Sequence, residues 1–282
     1  MVADVTRGFS LLTWLYETVP GRACLSVLTR PALSRAAGAF LDTRLSRALI
    51  PPFVKNCGVD LSECRIREAR GYASFNDFFT RRLKPGSRPA DPDPDALTAP
   101  CDGALSVYRA QGGAVIPVKQ SRYTLAGMLR DSSLAREFEN GYVMVYRLAV
   151  HNYHRYSFAE SGLVSPPEAI PGVLHTVRPV ALRNVPVFLE NSREYTVIDT
   201  ENFGRMVQME VGAMLVGRIA NRPGITRAVR GQEKGCFLYG GSTVIVLIGP
   251  DRVRIREDIL EASRTGQEIP VKMGERVGSR IQ

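Results

Sequence analysis

Histidine is scarce in this chain. Three residues, His151, His154 and His175, carry every imidazole in 282 positions. Five cysteines (24, 57, 64, 101 and 236) form no CxxC pair and are odd in number, which argues against a disulfide framework or a structural zinc site and favours a reducing compartment. No window approaches eighteen uninterrupted apolar residues, so no membrane-spanning helix is expected. The start, "MVADVTRGFSLLTWLYETVPGRAC", has one basic residue before a short run broken by Thr13, Glu17 and Thr18, a poor secretory signal. Low-complexity tracts and internal repeats are missing too. Acidic residues are the minority charge: 28 against 37 Lys and Arg, a formal +9. Such a surface suits an acidic partner. The cations are scattered, with no dense basic block or zinc-finger spacing, so nucleic acid is not the expected one.

What is present divides in two. Residues 8–50 carry apolar positions at three- and four-residue steps: Phe9, Leu12, Leu15 and Val19, interrupted by Pro20–Gly21, then Leu33, Ala37, Phe40, Leu41, Leu45 and Leu49 from Pro31 onward. Arg35, Arg44 and Arg47 lie away from most of that second stripe, a pattern that suits packing on the rest of the protein or resting on an anionic bilayer. Ser74 is placed to cap a short helix in "SFNDFFTRRLKPGSRP", with Lys84–Pro85–Gly86 as its stop. The Pro- and Asp-rich stretch near residues 86–97 reads as a linker. After it, short β-type runs alternate with turns, and one helix is expected near "TLAGMLRDSSLAREFENG". The expected fold class is α+β: a helical, membrane-associating region over residues 1–90, then a β-rich, sandwich- or barrel-like catalytic domain over 91–282.

The stretch "CFLYGGSTVIVLIGP", residues 236–250, places Gly240, Gly241 and Ser242 at the mouth of an apolar, β-branched strand. A turn is the plain reading. The other is chemical. Asp102, a histidine and Ser242 are the parts of a nucleophilic triad. With a base to take its proton, Ser242 Oγ could attack the unhindered Gly241 carbonyl and exchange an amide for an ester. β-Elimination would then leave dehydroalanine, and hydrolysis would give a pyruvoyl group and ammonia. A zinc hydrolase is the competing reading, with Asp102, His151, His154 or His175 as ligands, but the HxxH spacing lacks the glutamate of the HExxH form.

"GGSTVIVL" resembles the processing motif of the phosphatidylserine decarboxylase proenzymes. "SFNDFFTRRLKPGSRP", "PCDG", "YHRYSF", the central run from "PGVLHTVRP" to "VGAMLVGRI", and "PVKMGERVG" are similar to further segments of that family, in the same order and spacing. The resemblance implies decarboxylation of phosphatidylserine to phosphatidylethanolamine. It implies cleavage between Gly241 and Ser242 into a β chain (1–241) and an α chain (242–282), with a covalent pyruvoyl cofactor made from Ser242 and no metal. It implies peripheral binding to the cytoplasmic face of the cell membrane, an anionic phospholipid substrate, and a homodimer.

One position departs from the pattern. Many members have a second histidine three residues after that of the Tyr-His-Arg segment, and here Ser157 stands there. Serine has no basic nitrogen to offer. His154 keeps the motif position and is the expected base, or the proton donor to the substrate Cα. His175, in "LHTV", is the expected stand-in for the missing histidine, and His151 reads as structural or surface. Asp102 is expected to orient a histidine. Arg155 and Arg178 are candidates for the substrate phosphate.

Overall fold

The computed structural model describes residues 11–111, 117–118, 121–214, 218–238 and 242–281. The helical region holds α1 (Leu11–Glu17), α2 (Val19–Leu28), α3 (Pro31–Leu41), α4 (Ile50–Cys57) and the short α5 (Phe75–Phe79). Pro20–Gly21 does not end a helix as expected; both lie in the first turn of α2. A first-turn proline forfeits an N–H that has no intrahelical partner anyway. Thr18 Oγ1 accepts from Gly21 N–H at 3.0 Å and caps that turn. Glycine is needed at 21 because a Cβ would sit 2.1 Å from the Trp14 carbonyl oxygen.

The second apolar stripe is also shorter than its periodicity suggests. α3 stops at Leu41, and a 3-10 turn follows over Arg44–Leu49. Asp42 is drawn onto Asn76 Nδ2 at 2.8 Å, and Ser46 Oγ donates back to the carbonyls of Leu41 and Thr43. Ser74 caps α5 as expected, accepting from Asp77 N–H at 3.1 Å, but the helix ends at Phe79 rather than at Lys84–Pro85–Gly86. Its phenylalanines join Leu41, Ile50, Val59 and Tyr72 in a separate small core. Edge-on ring pairs hold it, such as Phe53–Phe75 at 5.0 Å and Tyr72–Phe78 at 5.4 Å, each contributing about 0.5–1.5 kcal/mol beyond burial.

Among the described residues the largest sheet has nine strands and is open, not closed into a barrel. Its centre is Ser242–Ile248, antiparallel to Gly204–Val211 on one side and Tyr142–Leu148 on the other. Every residue of this strand is buried. Alternation sends its side chains into two cores. Ile245 and Leu247 pack with Leu15, Tyr16 and Leu25 of α1 and α2, while Val244, Val246 and Ile248 pack with Val253, Ile259 and Val277 of the C-terminal segment. A three-stranded sheet of Ala96–Thr98, Arg276–Arg280 and Val253–Ile255 accompanies that second core, which is the sandwich-like part of the fold.

The expected linker is not loose: Arg230 donates to the carbonyls of Asp93 and Pro94, and Asp91 N–H bonds Gly274 O at 3.0 Å. The single helix expected near residue 124 is two, Leu125–Leu129 and Ser132–Arg136, parted by Arg130 at φ 52° with Asp131 capping the second.

Candidate active site

Ser242 opens the central strand, opposite Leu148, and Val211 lies opposite its neighbour Thr243. Two chain segments therefore leave the sheet at its side: the loop after Leu148 and the turn after Val211. Ser242 is 1% exposed, and its Oγ has no hydrogen-bond partner among the described residues. A buried hydroxyl left unbonded costs about 1–3 kcal/mol, so such an atom asks for a chemical reason. Gly240 and Gly241, with the expected scissile bond, lie outside the described residues.

The loop after Leu148 turns on Asn152, whose Oδ1 accepts from Ala149 N–H at 2.7 Å while its own N–H returns to Ala149 O at 2.9 Å. Arg81, buried and just beyond α5, donates Nη2 to the carbonyls of His151 and Asn152 at 2.9 and 3.0 Å. The Asn152 carbonyl also takes His154 Nδ1 at 2.9 Å. A carbonyl only accepts, so Nδ1 carries a proton, and Nε2 is the nitrogen left to act as a base. His154 is fully buried against Phe79, with ring centroids 4.0 Å apart. The aromatic core of the helical region thus ends on this imidazole.

Asp102 does not take the orienting role expected of it. Both carboxylate oxygens are held by Arg88, Nε and Nη2 each at 2.8 Å, and Oδ1 also accepts from Met273 N–H at 2.9 Å. The histidine that needs orienting, His154, finds its partner in Asn152 O instead. Hydrogen bonding to Asp102 pushes the Arg88 guanidinium further above its ordinary value. The pair pins the turn into the Gly103–Arg109 strand, where a Cβ on Gly103 would come within 3.0 Å of Arg147 O.

His175 meets neither Ser242 nor His154 in any described hydrogen bond. Its Nδ1 accepts from Tyr16 hydroxyl at 3.2 Å, and Nε2 faces Glu190 at 3.2 Å. Its backbone is the part that approaches the strand end: Asn191, fully buried, accepts from His175 N–H and donates to the carbonyls of His175 and Gly212. Burial holds the imidazole below its usual range, against the pull of Glu190.

The unfolded chain therefore takes up this proton first. The contribution to stability is complete above about pH 6.5 and is lost as the pH falls toward the folded value. Melting temperatures between about pH 8 and pH 5 should fall less steeply for His175→Gln than for wild type. Equal acid slopes would refute this account.

Ser157, at the position of the family's second histidine, is buried with N–H and Oγ both on Pro100 O, at 2.8 and 3.3 Å. Arg155 is engaged by Thr80 O and Glu233, and His151 is exposed. Among the described residues, Asp102, His151, His154 and His175 are not gathered into a metal-binding cluster. Arg81, Arg88, Asn152 and Asn191 escape a reading by residue type, because their roles are hydrogen bonds to main-chain atoms or, for Arg88, to the distant carboxylates of Asp102 and Glu63. The only signal for the first two is their place inside the "SFNDFFTRRLKPGSRP" segment.

Residues 75–279 match the sequence model of the phosphatidylserine decarboxylase family. The chain is 40% identical to phosphatidylserine decarboxylase proenzyme 2 of Clostridium acetobutylicum, with 95% of this chain and 91% of that one covered. It is 36% identical to the phosphatidylserine decarboxylase proenzyme of Clostridium botulinum (97% and 94% covered) and 35% identical to that of Clostridium perfringens (98% and 95%). With the family's segments in order and Ser242 at the head of the central strand, this chain belongs to the phosphatidylserine decarboxylase family.

Proposed function

We propose that this protein is a proenzyme that cuts itself between Gly241 and Ser242 and then decarboxylates phosphatidylserine to phosphatidylethanolamine, using a pyruvoyl group made from Ser242. The observation that carries this reading is the buried Ser242 hydroxyl at the start of the central strand, which has no hydrogen-bond partner among the described residues. A pyruvoyl group there would supply an electron sink for the pair left on the substrate Cα when CO₂ departs. The chain's own residues provide the rest. His154, with Nδ1 donating to Asn152 O, presents Nε2 as the base for the Ser242 proton during self-cleavage and as the donor that returns one later. Burial of Ser242 and His154 keeps water out and strengthens each electrostatic contact. Ion-paired Asp102, which fixes the turn into the Gly103–Arg109 strand, and His175, whose main chain is tied through Asn191 to Gly212, act as positioning residues.

The strand also explains how two chains would stay together. Val244 to Ile248 are each fully buried, at roughly 1.5–3 kcal/mol per side chain, and ladders run along both edges. A cut before Ser242 leaves all of these contacts in place. Intact mass of the denatured protein tests the reading: two chains, the smaller starting at 242 with a ketone in place of serine, together with ethanolamine lipid formed from phosphatidylserine. One full-length chain in active protein would refute it.

We further place the helical region on the cytoplasmic face of the cell membrane. Of eleven exposed large apolar side chains among the described residues, seven lie between Leu11 and Leu49, including Val19 at 73% and Leu45 at 78% exposed. Exposed Arg22, Arg30, Arg35, Arg44 and Arg47 accompany them, and each cation near an anionic surface adds about 1 kcal/mol of attraction. No helix of the described residues is long and apolar enough to cross a membrane. Val19→Asp with Leu45→Asp should release the protein from sedimenting anionic vesicles about tenfold or more. Unchanged sedimentation would remove this assignment.

A further inference from the structure

A cavity of about 570 Å³ lies between α3 and the sheet end. Ser34, Arg35, Gly38 and Asp42 of the α3 segment form one wall, at the three- and four-residue steps of a single helix face. Leu33 and Phe40 of the same helix are exposed. The opposite wall includes Leu174, Ser192, Arg218 and Leu238. Three of these segments run on toward the candidate active-site residues. Leu174 precedes His175, Ser192 follows Asn191, and Leu238 lies four residues before Ser242. Asn76, also in the lining, is one turn from the Phe79 ring that covers His154.

The lining has a charge pattern. Arg35 and Arg218 both line it, and neither is buried in protein. The one carboxylate among the described lining residues, Asp42, accepts from Asn76 Nδ2. Ser34 is more than nine-tenths buried, and its Oγ has no hydrogen-bond partner among the described residues. Two guanidiniums and an unspent hydroxyl donor suit a singly charged, tetrahedral oxyanion. The arginines expected to take this part are placed elsewhere: Arg155 is spent on Thr80 and Glu233, and Arg178 stands at the start of the Pro179–Asn184 helix, outside this lining.

We infer that Arg35 and Arg218, with the Ser34 hydroxyl, bind the phosphodiester of the lipid head-group in this cavity and so select a phosphoserine ester over free serine. The inference rests on the decarboxylase reading above. It makes α3 two-sided, with Leu33 and Phe40 toward the acyl region and Ser34 and Arg35 toward the head-group.

The test uses the processed protein and dihexanoyl-phosphatidylserine below its micelle concentration, beside phosphatidylcholine vesicles carrying phosphatidylserine. Arg35→Gln and Arg218→Gln should each lower kcat/KM on the soluble substrate about tenfold to hundredfold, mainly through KM. Gly38→Phe should give a comparable loss without touching a charge, since a Cβ there meets nothing within 4 Å and the ring would enter the cavity. Losses confined to vesicles would mean that the arginines serve only attraction to the bilayer, and would overturn the inference. So would a silent Gly38→Phe.

Calorimetry with glycerophosphoserine keeps this result separate from the decarboxylase reading. If wild type shows no ketone and no turnover, that reading fails. Binding that is lost in both arginine variants would still support the site, and equal binding in all three proteins would overturn it. Inorganic phosphate bound as tightly as glycerophosphoserine would overturn the head-group assignment in favour of a general anion site.

Discussion

Ser242→Ala protein is expected to remain one chain of 31.1 kDa, to contain no reactive ketone, and to release no CO₂ from phosphatidylserine above background. Alanine removes the hydroxyl proposed to attack the Gly241 carbonyl. It also leaves the fold intact, and that makes the result interpretable. The deleted hydroxyl is buried and without a described hydrogen-bond partner, so its removal relieves a desolvation cost and the melting temperature should hold or rise. The ladders through Leu148 and Val211 use main-chain atoms that alanine keeps. Mass spectrometry of wild type and variant purified side by side decides the matter. A variant that still yields two chains would take the nucleophile's role away from Ser242.

The second large effect falls on His154. His154→Gln should slow self-cleavage by about 10²–10⁴-fold, the range for loss of a positioned general base. Glutamine can still donate to the Asn152 carbonyl, but it has no basic nitrogen. The time course of intact mass after purification reads the rate, with melting temperature as the check that the ring's packing on Phe79 has not been traded for unfolding. His175→Gln is the control. Its ring is occupied by Tyr16 and Glu190, so it should lose stability yet cleave within about tenfold of wild type. Reversed outcomes would make His175 the base and leave His154 as packing. Should slow-maturing His154→Gln protein, once fully cleaved, decarboxylate normally, the histidine serves self-cleavage alone.

Arg81 explains why His154 depends on the helical region. Its guanidinium joins the end of α5 to two carbonyls of the loop that presents the imidazole, one of them the carbonyl that sets the tautomer. Hydrogen bonds through Arg81 therefore tie the helical region to the loop that holds His154.

Signals that act over a few residues were readable without coordinates. The β-branched run Thr243–Ile248 can form little else than a buried strand, Ser74 caps the helix that follows it, and Gly–Ser at a strand mouth names the bond proposed to be cut. The family's segments pointed to Ser242 and His154 by type and order. What periodicity misplaced was the extent of helices, because Asp42, Ser46 and Thr18 are drawn by hydrogen bonds that no propensity contains.

Only the tertiary structure decided partners. Asp102 and Arg88 are fourteen residues apart, Arg81 and His151 seventy, and Tyr16 and His175 one hundred and fifty-nine. Sequence names a carboxylate or an imidazole and its ordinary chemistry. Which donor reaches each lone pair, and hence which nitrogen keeps its proton, depends on distances of about 3 Å between segments that meet only when the sheet is assembled.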